Sequence, residues 1–465
     1  MRLTALLACC LLSAPAAVPQ PSRDNGGGPR GFPADFEDAA FKQRARALGS
    51  GRAALVVVHN VYNESLPRPA GLSWEQALRR TSMSDNAGNM VWAYGALKLL
   101  SPSVTQISAL AHRPKEAAGT RLQLSQAHAY YMPVANLLSD ARRWGDAMTR
   151  SIVKLQNLLN QDKQARLVMI GLGTQAFFHD RRGAQVSDFS ATGRASMNES
   201  LARFELNEPQ RFFLKTVIGR AQRGGGLAVR GAFTLAVLRQ QVCSDCPNVS
   251  ALGCPSLFIN PRPNLGRIME SKYKSLEHRS SQPGFKVAVL LSSTMHSAHN
   301  AWESLLGLLH RFPGSIFVAQ RAHELNTEVS QAEQAMGKRI PPGAVRFFYD
   351  VRSWHDAMAG FDAVISLRIH GAMISLAAVT PILVIAPDWR VKELADQMML
   401  ARTDIFDPLL RGDPMRALFA HASKFDGGRF DRNRCLIAKK YVRIFASGGI
   451  PINRAVERLA RTCAD

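Results

Sequence analysis

The sequence is short of several features that would settle its class at once. Its N-terminal apolar run, Leu3–Leu12, is shorter than the ~20 residues needed to cross a bilayer, and no other stretch reads as a span. Acid is scarce: 36 Asp and Glu stand against 58 Lys and Arg, a net charge of +22. The excess positive charge is scattered rather than gathered in one tail, and no aromatic stacking motif accompanies it, so nucleic acid is not the expected partner. A field of this sign favours anionic substrates, although an Arg-rich composition alone would produce it as well. No GxSxG, HExxH, P-loop or DxD-like metal pair stands in a convincing context. Their absence argues against hydrolase, metalloprotease and metal-dependent transferase chemistry. Cysteines number seven; Cys243-Ser-Asp-Cys246 has no second CxxC pair and no well-spaced His to complete a zinc site, which favours disulfides over metal. No short-period repeat is visible.

What is present is a 465-residue chain with 46% hydrophobic and 20% charged residues, enough for two or three globular domains. Residues 1–18 have the layout of a cleavable signal peptide, with Arg2, an apolar run and a small-residue region; a short uncleaved anchor is the alternative. Residues 19–52, rich in Gly, Pro, Asp and Arg, read as a disordered linker or stalk. The expected location is the secretory pathway, as Golgi lumen or secreted protein, with no stable membrane span. Sequons at Asn63, Asn198 and Asn248 fit that compartment. Cleavage would leave Cys243, Cys246, Cys254, Cys435 and Cys463, so at most two internal disulfides form and one thiol remains.

Two α/β domains are expected, at 53–265 and 284–430, with a helical tail at 431–465 packing back on the first. In the first, Ala53–His59 is a β-branched run suited to a parallel strand. Met90–Leu100 reads as a helix, 133–160 contains a long amphipathic helix, and Arg166–Gln175 is a strand running into a glycine turn. Glu208–Arg223 is helical and Gly226–Val229 a short strand. The second domain alternates strand and helix plainly. Its strands are Lys286–Ser292, Ser315–Gln320, Val345–Tyr349, Ala363–Leu367 and Ile382–Ala386, the pattern of βαβ units on a parallel sheet. The polar, basic stretch Pro261–Pro283 is the connection between the two.

Strand-to-helix turns carry the chemistry. Four combine glycine with polar or charged side chains: Asp85-Asn-Ala-Gly88-Asn89, Gly171-Leu-Gly173, Val229-Arg230-Gly231 and Arg368-Ile-His370-Gly371. Glycine permits close backbone approach, and free N–H groups at helix starts attract anions. Arginine suits a carboxylate or phosphate through paired hydrogen bonds, and histidine titrates near neutral pH. A lone arginine after a strand is ordinarily a solvated rim residue, and a lone histidine at a helix start a cap or core group. Gly171-Leu-Gly173 lacks the third glycine and downstream acid of a dinucleotide fingerprint. Arg368 and His370 together, after a wholly apolar strand, are a stronger signal. The next strand ends at Pro387-Asp388, with Arg390 and Lys392 following, so two successive strand ends present cations at one sheet rim, where open parallel sheets bind ligands.

The block Ile365–Pro381, with Asp388 and Lys392-Glu-Leu-Ala, resembles the C-terminal motif of the polysaccharide pyruvyl transferase family: strand, Arg-x-His-Gly, apolar helix, Pro-led strand, Lys. Asn86-Ala-Gly88-Asn89, Val229-Arg230-Gly231-x-x-Thr234 and Gly253-Cys-Pro-Ser256 look like the family's upstream segments. The resemblance spans roughly Ala53–Leu400. One departure stands out: the acid expected after the glycine is Asn89 here, with Asp85 four residues earlier.

The resemblance implies two Rossmann-like domains with parallel sheets facing a cleft, GT-B-like. It implies transfer of pyruvate from phosphoenolpyruvate to two hydroxyls of a sugar as a ketal, with a galactose residue of a polysaccharide or glycan as the expected acceptor. Arg230 and Arg368 would clamp the donor, with Gly88, Gly173 and Gly371 opening the turns around it. His370 would act as the acid or polarise the phosphate. Asp85 or Asn89 would orient or deprotonate the acceptor, and Lys392 would support the phosphate or brace the loop. No metal or nucleotide cofactor is expected. Two alternatives remain open: a lumenal glycosyltransferase using a nucleotide sugar, and a non-catalytic glycan-binding protein.

Overall fold

The computed structural model describes residues 54–58, 86–102, 104–109, 129–141, most of 152–160, 164–179, 195–291, 299–321, 324–325 and 329–463. The signal peptide, the linker, Asn63 and Asp85 lie outside the described residues.

Among the described residues two six-stranded sheets, parallel throughout, form the two domains, beside a two-stranded pair. The first contains β1 (Ala54–Val58), β2 (Thr105–Ala109), β3 (Ala129–Pro133), β4 (Arg166–Leu172), β5 (Gly225–Val229) and β6 (Val249–Ala251), in the order β2-β1-β3-β4-β5-β6. The second contains β7 (Val287–Leu290), β8 (Ile316–Ala319), β9 (Val345–Phe347), β10 (Ala363–Ser366), β11 (Ile382–Ala386) and β12 (Arg402–Asp404), in the order β9-β8-β7-β10-β11-β12. Counted within the domain this is 3-2-1-4-5-6, the doubly wound order whose direction reverses between the first and fourth strands. Strands β3, β5, β7, β8, β10 and β11 are buried along their whole length, as continuous apolar runs in a sheet covered on both faces should be. The expected GT-B-like pair of Rossmann-like domains is what forms.

Some elements differ from the sequence reading. β2, β3, β6 and β12 were not expected. The supposed long helix at 133–160 begins as the end of β3 and passes through a two-residue strand at Leu138–Ser139; the described residues of 152–160 are helical, and 142–151 lie outside the described residues. A short apolar run such as Ala129–Pro133 does not distinguish strand from buried helix by periodicity.

Seven helices position the site or join the domains: α1 (Gly88–Lys98), α2 (Glu208–Arg223), α3 (Ala232–Gln241), α4 (Leu265–Ser280), α5 (Ile369–Ala377), α6 (Trp389–Gln397) and α7 (Gly427–Gly448). The connection between domains is helix α4. It buries Leu265, Met269, Tyr273 and Leu276, spaced to face one side. The Tyr273 hydroxyl donates to the Ile382 carbonyl (2.7 Å) and accepts from the Ile382 amide (3.0 Å), tying α4 to β11. Helix α7 returns across the first domain, packing on β5 and β4 as well as on α4. Its Asp431 accepts from the Gly266 and Arg267 amides (2.6 and 3.2 Å), capping α4 from outside. Arg434, wholly buried, donates to the Arg262 and Asn260 carbonyls at 2.8 and 2.5 Å. Cys435 is joined to Cys463 and Cys243 to Cys246, leaving the buried Cys254 as the free thiol among the described residues. Among the described residues no helix is long and apolar enough to cross a membrane.

Candidate active site

The carboxyl ends of the two sheets face one another. The Ala87 amide, just ahead of α1, donates to the Gln320 carbonyl after β8 (2.9 Å), and the Trp389 amide donates to Ala176 (3.1 Å). Turns that are remote in sequence therefore meet at one interface.

On the second-domain side, β10 leads through Leu367 into Arg368, the N-cap of α5, whose nine residues are all buried. A helix apolar almost all round has no solvent face, so its start is fixed by packing. The Leu367 amide donates to Leu290 (2.9 Å) and Arg368 Nε to Leu291 (2.7 Å), both at the end of β7. Arg368 thus stands where strand order reverses, the usual ligand position of this fold. Its guanidinium also pairs with Glu324, a wholly buried carboxylate that accepts from the Gln320 amide at 2.7 Å.

His370 follows on the first turn of α5 and is 7% exposed, with Nε2 buried and lacking a hydrogen-bond partner. Burial, reinforced by the charges of Arg230, Arg390 and Arg368, pushes its pKa well below 6.5. The imidazole is therefore neutral at neutral pH. A Cβ on Gly88 would lie 3.3 Å from His370 Cβ and 2.3 Å from Gln320 Oε1, so α1 begins directly against α5. Asn89, half-buried, is in that same turn, its amide bonded to the Asn86 carbonyl at 3.0 Å. Gly371 serves packing rather than an opening: its Cβ would come within 2.2 Å of Leu290 Cδ2.

On the first-domain side, β5 ends in Arg230, 2% exposed. Nε donates to the Gly171 carbonyl (3.2 Å), and Nη1 bonds Oδ1 of Asn136, whose φ of 51° is left-handed. Gly173 leaves the space this side chain fills. Burial lowers the Arg230 pKa to about 10, which still leaves it charged at neutral pH.

The third cation at the site is Arg390, on the first turn of α6. Its charge acts on both His370 and Arg230, and it pairs with the N-cap residue Asp388 at 3.0 Å. Lys392, expected to support a phosphate here, is placed otherwise. Two positions along a helix rotate a side chain by roughly 200°, and Lys392 instead pairs with Asp396 at 2.9 Å. Both line a separate opening of about 880 Å³ with Phe233, Trp389, Glu199 and Gln397. Asn136, Gln320 and Glu324 escaped the sequence reading; Asn136 and Glu324 lie far in sequence from the arginines they bond. Glu393 stands inside Lys392-Glu-Leu-Ala, but the sequence reading gave it no role.

The profile of the polysaccharide pyruvyl transferase family matches residues 149–388, more than half the chain, including Arg230, Arg368 and His370. The chain belongs to the polysaccharide pyruvyl transferase family. No curated protein matches it. Among solved structures it is similar to the S. aureus MnaA–UDP co-structure, at TM-score 0.39 and 11% identity over 85% of this chain and 98% of that one. It is also similar to a glycosyltransferase from Rickettsia africae, at TM-score 0.40 and 10% identity over 88% and 99%. These likenesses are distant, and the fold assignment stands on strand order. Family membership makes the protein a polysaccharide-modifying transferase, and the group formed by the buried Arg230 and His370 with the half-buried Arg368 and Arg390 is its candidate active site.

Proposed function

We propose that this protein transfers pyruvate from phosphoenolpyruvate onto two hydroxyls of a sugar, a galactose residue of a glycan or polysaccharide, in the secretory lumen. The observation that carries this reading is the convergence of three arginines from two domains on one neutral, buried histidine. Phosphoenolpyruvate presents a phosphate and a carboxylate on a small frame, and guanidinium groups on opposing walls suit both anions. Holding the donor at two ends fixes C2 for attack.

In this scheme the methylene carbon of the donor is protonated and positive charge develops at C2. One sugar hydroxyl adds there, and the second displaces phosphate, closing the ketal. Of the two hydroxyl protons lost, one is balanced by the proton on C3 and the other leaves with phosphate. His370 serves as the acid or as the group that polarises the phosphate. Burial and the three arginines keep it neutral, so the acid role requires the charge of the bound anion to raise its pKa. Asn89, or Asp85 just upstream, orients the acceptor hydroxyl. The scheme calls for no metal or nucleotide cofactor.

Incubation of the full chain with phosphoenolpyruvate and a panel of galactosides, followed by mass spectrometry, tests this. A pyruvate ketal with release of phosphate is expected, abolished in Arg368→Ala and His370→Ala. Full activity in the histidine variant would remove the acid assignment. Absence of ketal on every galactoside, with phosphoenolpyruvate bound, would refute galactose as acceptor.

A further inference from the structure

Glu393 lies on α6 in the second domain, yet its carboxylate bonds the first. Oε2 accepts from the Thr234 amide (2.8 Å) and Oε1 from the Thr234 hydroxyl (2.7 Å), on the first turn of α3. It is 4% exposed. The sequence makes room for it: a Cβ on Gly231 would lie 2.8 Å from both Glu393 Cβ and its carbonyl oxygen. Thr234 Oγ1 in turn accepts from the Thr174 amide (3.1 Å), which follows Gly173. Arg230 and Gly231 immediately precede α3. Arg390, one of the two cations of the second domain, lies three residues before Glu393 on α6. One carboxylate therefore joins the turn that carries Arg230 to the helix that carries Arg390.

We propose that Glu393 is a positioning residue for the anion site, a cross-domain grip on the start of α3 that sets Arg230 against Arg390 and whose charge tunes how strongly the site holds an anion. The inference rests on reading the arginine cluster as an anion site. An ionised carboxylate at a helix start is favourable, but here it is desolvated and stands near Arg230. Burial pushes its pKa up to about 7 against the pull of Thr234 and Arg230. The charged groups around it are Arg230 and Glu199 from the first domain, and Asp388, Lys392 and Asp396 from its own helix and cap. When Glu393 is ionised its negative charge opposes an incoming anion; when protonated it does not. Anion affinity should therefore rise as pH falls through about 7.

Sulfate is a suitable probe because it does not titrate in this range. Calorimetric titration of the full chain with sulfate from pH 5.5 to 8.5 should show affinity about tenfold higher at the acid end, roughly one pH unit of coupling. In Glu393→Gln, which keeps an acceptor for Thr234 but no charge, that inflection should vanish and affinity should stay at the acid value. Any contribution of His370 is common to both proteins. Thr234→Val should weaken sulfate binding at every pH while keeping the inflection, since the grip is loosened but the charge remains. An unchanged inflection in Glu393→Gln overturns the role of Glu393 while leaving the anion site intact. Failure of the wild-type protein to bind sulfate or phosphoenolpyruvate overturns both.

Discussion

A Cβ on Gly173 would stand 2.2 Å from Cδ of Arg230. The turn after β4 is bare so that the arginine after β5 can lie across it. Arg230 is held on two further sides by Gly171 and Asn136, so it cannot simply shift aside. Gly173→Ala should expel the guanidinium from its seat and weaken phosphoenolpyruvate binding by about tenfold or more, the scale of a lost charged hydrogen bond. Calorimetry of the variant, with circular dichroism to confirm the fold, checks this. Unchanged affinity would mean that Arg230 does not hold the donor from this position.

Arg390 and Lys392 are separated by one residue and do different things. Arg390→Ala should cost about tenfold or more in phosphoenolpyruvate affinity, whereas Lys392→Ala should remain within about twofold, since Lys392 is turned to the exposed Asp396 and away from His370. The opposite ranking would return the phosphate-binding role to Lys392.

Two buried groups give stability opposite slopes with pH. His370 is held well below 6.5, so below that pH the unfolded chain gains a proton that the folded one does not; stability falls with acid there. Glu393 is raised from 4.5 to about 7, so its contribution is complete below about 4.5 and is lost as pH rises through about 7. The Tm difference, variant minus wild type, should therefore grow toward acid for His370→Asn and toward alkali for Glu393→Gln. Parallel slopes in the two variants would contradict the assignments.

Cys435, on α7, and Cys463 close a loop of 28 residues that ties the C-terminal segment back onto α7. Replacing both with serine should cost roughly 3–4 kcal/mol of stability from loop entropy. Phosphoenolpyruvate affinity at a temperature where the variant is folded should be unchanged. Chemical denaturation and calorimetry measure the two quantities separately.

How much of the fold and the site was legible in the sequence depends on which interactions are local. Strands β10 and β11 are apolar runs bounded by clear turns, and Arg368 and His370 lie where those runs stop. Glu208–Arg223 was readable as a helix because Asn207, Pro209 and the basic last turn mark its ends. The connection at Pro261–Pro283 holds a helix whose buried positions Leu265, Met269, Tyr273 and Leu276 were in plain view beneath a polar composition. Arg390 and Lys392 were both legible as cations at the sheet rim, but which of them turns toward His370 depends on how α6 packs, and only Lys392 was given a role. Glu324, Asn136 and Glu393 act only through contacts made by the fold: the Glu393–Thr234 bond spans 159 residues.

The central claim is that Arg230, Arg368 and Arg390 form a site for phosphoenolpyruvate around His370. Calorimetric titration of phosphoenolpyruvate into the full chain and into Arg230→Gln tests it most directly. Saturable binding by the wild-type protein, lost in the variant, is the expected result. No binding of phosphoenolpyruvate by the wild type, with saturable binding of a nucleotide sugar in its place, would contradict it.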